Sequence, residues 1–299
     1  VVQVLQDAGM KVVSVRHPMP YGDLTKQVVQ RFASYEDFEI HDCTIEEREE
    51  YEPVVAMGAV IYAGVDYEKI LRRAEEEADV VVWDGGNNDT PFYKPDVHVV
   101  VFDPHRVGHE TSYHPGETNL LMADIAVINK VDSADPKDVE ALQKTIQKHN
   151  PKASIVLADS EVTVENGERM RGKRVLVIED GPTLTHGQMK FGAGVVAARR
   201  YGASETVDPR PYLVGTLKGT FATYPEIGTV LPAMGYSEQQ VKDLEATINQ
   251  CDCDVVVSAT PIDLTRLVNI QKPTLRVRYG YRDNGQPTLG NLVKEMLAK

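Results

Sequence analysis

The sequence predicts an α/β fold with a mostly parallel sheet covered by helices on both faces, followed by a second, smaller α/β lobe. Three observations predict it. Apolar runs at 80–83, 97–102 and 125–128 are short and lack polar alternation, as strands buried on both faces do. Between them lie stretches with apolar residues at helical spacing: Ile70, Leu71, Ala74 and Ala78, then Val139, Leu142 and Ile146. After a polar, turn-rich stretch at 159–173 the alternation restarts, which marks a second lobe.

In chain order, residues 1–9 read as the last turns of a helix stopped by Gly9. The sequence begins with Val1 rather than Met and inside that helix, so it is expected to be part of a longer polypeptide. Residues 11–15 form a β-branched strand, and Thr44-Ile-Glu-Glu47 is a capping box opening an acidic helix. The strand at 79–84 ends on an acid, and another strand is expected at 154–157. The expected division is 1–160 and 161–299. In the second lobe 174–178 is a strand and 188–201 a helix. Ser237-Glu-Gln-Gln240 caps a helix carrying Val241, Leu244 and Ile248, and 254–258 and 274–277 are strands.

Composition removes several classes. Thirty-two basic against 45 acidic residues give a net charge of −13, without the basic footprint that nucleic-acid binding needs. No apolar run is long enough to span a bilayer, so no membrane partner is expected. Three cysteines without a C-x-x-C pair argue against a disulfide framework or a zinc site and fit a reducing cytoplasm.

Five segments carry chemistry. Asn129-Lys130-Val131-Asp132 follows a strand directly and has the N-K-x-D pattern of guanine-nucleotide sites. An Asp carboxylate accepts two hydrogen bonds from the guanine ring N–H and amine, a pattern adenine does not offer. Asn129 steadies the loop, and the stem of Lys130 packs on the base. Val80-Val-Val-Trp-Asp84-Gly-Gly-Asn-Asn88-Asp89 is an apolar strand ending on an acid that holds Mg²⁺ directly or through water. The glycines admit a γ-phosphate, and Asn88 and Asp89 would position water or a second substrate. Arg16-His17-Pro-Met-Pro-Tyr-Gly-Asp23 is stiffened by two prolines. It offers Arg16 and His17 to phosphate and Asp23 as a second Mg²⁺ or water-orienting group, or else it is a rigid structural loop. Asp103-Pro-His105-Arg106, with His109 and His114 beyond, matches no zinc spacing and suits an anionic substrate or a solvated loop. Asp180-Gly-Pro-Thr183-Leu-Thr-His186-Gly187 reads either as a second phosphate site or as a helix-start turn. No G-x-x-x-x-G-K-[ST] occurs in the sequence.

Together these strings resemble the P-loop GTPases grouped with cyclic 2,3-diphosphoglycerate synthetase, and the similarity runs over essentially the whole chain. The resemblance implies a further domain and the phosphate loop ahead of Val1. It also implies Mg²⁺ and GTP or ATP, a small anionic substrate, and hydrolysis or a ligase reaction closing an intramolecular phosphoanhydride. A nucleotide-dependent switch or chaperone is the non-metabolic alternative. Asp84 would hold the metal, and Asn129, Lys130 and Asp132 the base, with Ala158, Asp159 and Ser160 flanking it. Arg16, His17, His105, Arg106, Thr183 and His186 would meet phosphate or substrate. The sequence leaves room for a homo-oligomer. The 299 residues alone, without the phosphate loop, are expected to be inactive.

Overall fold

A computed structural model describes residues 1–17, 19, 22–86, 89–185, 190–235 and 237–298; of Pro182 and Thr183 it describes the backbone only. The elements in order are α1 (Val2–Asp7), β1 (Val12–Arg16), β2 (Gln30–Phe32), α2 (Tyr35–Ile40), α3 (Ile45–Ala56), β3 (Val60–Ala63), α4 (Tyr67–Glu75), β4 (Val80–Asp84) and β5 (Val99–Phe102). Next come α5 (His109–Ser112), α6 (Gly116–Met122), β6 (Ile125–Ile128), α7 (Pro136–His149), β7 (Ser154–Val164), β8 (Arg174–Asp180) and α8 (Gly181–Thr185). The rest are α9 (Ala193–Arg200), β9 (Glu205–Thr206), α10 (Thr216–Thr223), β10 (Leu231–Ala233), α11 (Glu238–Gln250), β11 (Val255–Ala259), β12 (Thr274–Asp283) and α12 (Leu289–Leu297).

The chain forms two compact units and passes between them more than once. Residues 1–33, 57–161 and 280–299 form the first, and 34–56 with 162–279 the second. One passage falls at Glu161–Val162, where the sequence changes composition. The others bracket the acidic segment 34–56 and the end of β12, which carry no polar linker to announce them.

In the first unit, strands run in the order β2-β3-β1-β4, with β2 antiparallel and the rest parallel. A second parallel run places β6 between β5 and β7. The β-branched residues that predicted these strands fill the centre: Val13 and Val15 on β1, Ile125 and Ile128 on β6. Helices α1 and α12 lay Leu5, Leu289 and Val293 on one apolar cluster that includes Val80 and Val82 of β4 and Val99 of β5. Strands β4 and β5 each end their run, β4 is only half-buried throughout, and Val101 is 65% exposed. Helix α7 covers the other face of β6 with Val139, Leu142 and Ile146, the stripe read from the sequence. Its start is capped by Asp135, whose carboxylate accepts from the Lys137 N–H at 2.9 Å.

In the second unit the parallel order is β10-β8-β11-β12. After β8 the chain pairs β9 and β10 on one side of it, then crosses to lay β11 on the other. The C-terminal edge between β8 and β11 is therefore a topological switch point, the place where open α/β sheets bind ligands. Strand β8 runs on to Glu179 and Asp180 at that edge. The Glu179 carboxylate accepts N–H groups of Gly192 (3.0 Å) and Val195 (3.1 Å) and so caps the start of α9. That start leaves no room for a side chain: a Cβ on Gly192 would come within 2.6 Å of Glu179. Helix α9 begins at Ala193, later than position 188, while β7 and β12 extend past the strands expected there into the more polar 159–164 and 278–283. Polar residues on an alternating strand sit on its open face, so hydropathy alone ends such strands too early.

The acidic helix α3 is buried. Glu46, Glu47, Glu49 and Glu52 are 1%, 3%, 7% and 2% exposed. The capping box holds, with the Thr44 N–H donating to Glu47 at 2.8 Å and the Glu47 N–H to the Thr44 hydroxyl at 3.2 Å. Glu46 accepts the Gly235 N–H at 3.2 Å and Glu52 the Asp263 N–H at 2.8 Å, tying the helix to the strand ends. Gly235 has no room for a side chain, because a Cβ would sit 2.2 Å from Ile45 Cδ1.

Burial pushes the carboxyls of Glu46 and Glu179 up to about 7 from an ordinary 4.5. The unfolded chain gives up these protons near 4.5 and the folded chain only near 7, so the stability they contribute is present below 4.5 and lost as pH rises through 7. The melting temperature of Glu46→Gln is expected to fall less than that of the parent between pH 5 and 8, because Gln keeps the acceptor and cannot ionise. Parallel melting curves for the two proteins would refute this.

Candidate functional site

The ligand-bearing edge of the first unit is where its parallel strands end. Register aligns Arg16 with Asp84 across β1 and β4, and Phe102 with Ile128 across β5 and β6. Beyond those residues lie the four loops that the motifs mark.

Arg16 is buried and its guanidinium bridges the end of β4, 3.2 Å from Asp84 Oδ1 and donating to the carbonyls of Asp84 (3.2 Å) and Gly85 (3.4 Å). Asp84 itself keeps 45% of its side chain exposed. His17 Nδ1 lies 2.9 Å from Asp89 Oδ2, and the same carboxylate accepts the Gly86 N–H at 2.8 Å. Burial and then the Arg16 charge hold the His17 imidazole below its ordinary value, against Asp89 and Asp84. The Asn119 amide donates to the Asp89 carbonyl at 2.8 Å and fixes the loop from α6. Beneath it, Trp83, Tyr67, Phe92 and Tyr93 make an aromatic cluster in which Tyr67 and Phe92 stack at 4.5 Å, with Phe92 65% exposed.

The second group forms around β5 and β6. Lys130 Nζ donates to Asp103 Oδ2 at 2.8 Å, and Asp103 Oδ1 accepts the His105 N–H at 3.0 Å. Burial would raise the Asp103 carboxyl, but Lys130 and the His105 N–H outweigh it and hold it low. Arg106 Nε is 3.9 Å from the same carboxylate, and His105 Nε2 is 3.0 Å from the Ser133 hydroxyl. Lys130 takes the left-handed backbone conformation, φ 61°, which turns the chain sharply out of β6. Asn129 Oδ1 is enclosed without a donor among the described residues. Asp132 Oδ1 accepts the Ser160 N–H at 3.1 Å, joining the N-K-x-D loop to the middle of β7. Ala158 is fully buried beside it. The Asp159 carboxylate is taken up by Arg282 (2.9 Å) and Asn284 (2.8 Å), which hold it low.

The fold therefore brings together Arg16, His17, Asp84 and Asp89 in one network at the ends of β1 and β4, and Lys130, Asp132, His105 and Arg106 after β5 and β6, with Ser160 of β7, in another. Asp23 stands apart in a local turn, its carboxylate accepting the Thr25 N–H (2.9 Å) and hydroxyl (2.6 Å). Asn88 and His186 lie outside the described residues, as does the side chain of Thr183. Among the described residues no group of three or more acids, histidines or cysteines is arranged to hold a metal. Asp84 suits Mg²⁺ in the way that ion is usually held, by one or two carboxylates plus nucleotide phosphates and water. The sequence reading missed Asp103 as the partner of Lys130, and Asn119 and the Tyr67–Phe92 stack. An acid ending β5, in register with the N-K-x-D strand, was the available signal for Asp103.

The fold is α/β of the P-loop NTPase type, with the candidate nucleotide-contacting residues described above. Residues 70–157 match the family described as CobW/HypB/UreG, nucleotide-binding domain. Over 295 residues the chain is 58% identical to a protein of Thermococcus kodakarensis named arginine synthetase ArcE, a match covering 99% of this chain and 66% of that relative. The chain thus spans a little under two thirds of that relative's length. Its fold is similar to that of LpxK from Aquifex aeolicus, solved with ATP, at a TM-score of 0.55 and 12% identity over 99% of this chain and 81% of that one. No described helix is long and apolar enough to cross a membrane.

Proposed function

We propose that the protein is a nucleotide-dependent ligase that couples cleavage of a GTP or ATP phosphate bond to the formation of arginine. Two observations carry the nucleotide half: the Asp132–Ser160 hydrogen bond that ties the N-K-x-D loop after β6 to β7, and the part-exposed Asp84 carboxylate at the C-terminal end of β4. The arginine half comes from the printed name of the relative at 58% identity.

In this reading Asp132 reads the base, with Ala158 and Ser160 on its other side and the Lys130 stem, anchored by Asp103, beneath it. Asp84 faces the phosphates, and Mg²⁺ bound with the nucleotide would neutralise their charge. His17 and Asp89 form a proton-holding pair next to that carboxylate. Asp159 is a positioning residue, since Arg282 and Asn284 occupy its oxygens. Closure of a phosphoanhydride on a small anionic substrate has less support. Two cations expected to meet it, Arg16 and Arg106, already face Asp84 and Asp103.

A nucleotide-driven switch or chaperone is the second reading, favoured by the match of residues 70–157 to the CobW/HypB/UreG domain. The two differ in what accelerates turnover: a small amino-acid substrate for a ligase, a protein partner for a switch.

The full protein is expected to prefer GTP to ATP, and Asp132→Asn to shift that preference toward xanthine nucleotides by exchanging an acceptor for a donor. Competition binding with the three nucleotides checks this. Equal affinity for GTP and ATP in the parent would remove the guanine assignment while leaving the nucleotide site.

A further inference from the structure

The buried acids of α3 are not alike. Glu46, Glu47 and Glu52 each accept a backbone N–H, which accounts for their burial. Glu47 does so through the Thr44 N–H of the capping box. Glu49 is 7% exposed, and among the described residues neither of its carboxylate oxygens has a hydrogen-bond donor. Its carboxyl lies within reach of that of Asp180, at the end of β8, with Glu46 also close. Two acceptors face one another there, so the contact is a hydrogen bond only when one of them carries a proton. Among the described residues the second oxygen of Glu46, Oε2, is also without a donor.

Tyr279 of β12 closes the group. It shares the strand face of Leu275 and Val277, which are buried in the core, and its hydroxyl feels Asp180, Glu49 and Glu179. Tyr279 as a residue is 51% exposed, and burial together with these acids pushes its hydroxyl up to about 12. Burial likewise drives the Glu49 carboxyl well above its ordinary value, with Asp180 adding to it. A buried carboxylate without donors is costly. Here the acids gather at the switch point of the second unit, the end of its sheet where a ligand is expected.

We infer that Glu49, Glu46 and Asp180, with Tyr279 beside them, form a pocket for the guanidinium group of a small cationic amino acid. This rests on the arginine reading above for the identity of the ligand, and on the unpartnered oxygens for its charge. A guanidinium is donor-only, planar and weakly hydrated, so it tolerates burial and can supply N–H groups to several carboxylates at once. Its plane can lie on the open ring of Tyr279. A metal ion fits less well, because these acids do not form a metal-holding group among the described residues.

Calorimetry of the full protein with L-arginine tests the inference, with agmatine as a guanidinium lacking the carboxylate and citrulline as the neutral isostere. Arginine is expected to bind, agmatine to compete with it, and citrulline at the same concentration to compete at least tenfold less. Glu49→Gln is expected to weaken arginine at least tenfold. Should that variant fail to fold, the comparison of agmatine with citrulline on the parent still decides. Absence of arginine binding, equal competition by citrulline, or a folded Glu49→Gln protein with parental affinity would overturn the pocket. Arginine binding that Glu49→Gln abolishes, in a protein whose nucleotide turnover ignores amino acids, would support the pocket and sink the ligase reading. Arginine-linked turnover with undiminished binding in Glu49→Gln would do the reverse.

Discussion

Asp84→Ala is expected to lower Mg²⁺-dependent nucleotide turnover by roughly a thousandfold, the scale of losing one main electrostatic contact to the transition state, while the protein stays folded. The side chain ends a strand whose packing comes from Val80 and Val82, and it contributes nothing to that apolar cluster. Its ion-pair partner among the described residues, Arg16, retains the carbonyls of Asp84 and Gly85 as acceptors after the change, so the buried guanidinium is not stranded. What disappears is the carboxylate, 45% exposed at the strand end, that the proposed function turns toward the phosphates. Steady-state turnover and a melting curve, measured on the same preparation, separate the outcomes. Parental turnover would make Asp84 no more than the anchor of Arg16. Lost turnover with a large fall in melting temperature would make it structural.

The largest stability effect is expected at Asn150. This residue ends α7, is 7% exposed, and points its amide at the carbonyls of Leu120 (2.9 Å), Leu121 (3.3 Å) and Ala123 (2.8 Å). Those carbonyls belong to the end of α6 and the turn into β6, the strand that delivers the N-K-x-D loop. Asn150→Ala removes the donor and leaves buried acceptors unpaired, at a cost of about 3 kcal/mol. For a unit of this size that lowers the melting temperature by roughly 6–12 °C. Nucleotide binding is expected to weaken with it, because Asn129 to Asp132 are held by the strand that this amide anchors. A shift below about 2 °C, the low end of what 1 kcal/mol produces at this size, would show that water satisfies these carbonyls instead.

Much of the first unit was legible because its strands are almost wholly apolar and end on residues with chemical meaning. Val80 to Asp84 and Ile125 to Asn129 each announce a buried parallel strand and its ligand-facing end in one string. The antiparallel β2 and the short β3 were not expected. Gln30-Arg31-Phe32 offers too few residues for a period-2 pattern to stand out. Helix α3 was the larger surprise. A run of acids reads as a solvated face, and here that face is buried, because backbone N–H groups from distant loops reach Glu46 and Glu52. Nothing local in the sequence announces donors so remote. The same holds for Arg282 and Asn284, which occupy Asp159 from the far end of the chain. By contrast, the junction of Asp132 with Ser160 follows from the parallel pairing of β6 with β7, which sets Ile128, the end of β6, beside Leu157 while β7 continues past it.

The most direct test of the account is steady-state nucleotide turnover by the full protein, measured with Mg²⁺-GTP and Mg²⁺-ATP against a panel of amino acids and phosphorylated acids, with arginine assayed as product. With ammonium supplied as nitrogen donor, the account predicts turnover that rises with a neutral ureido amino acid whose oxygen leaves on the cleaved phosphate, releases arginine in proportion to the nucleotide cleaved, and is unmoved by phosphorylated acids. Turnover that no small molecule accelerates, or that rises only with a phosphorylated acid and yields no arginine, would contradict it.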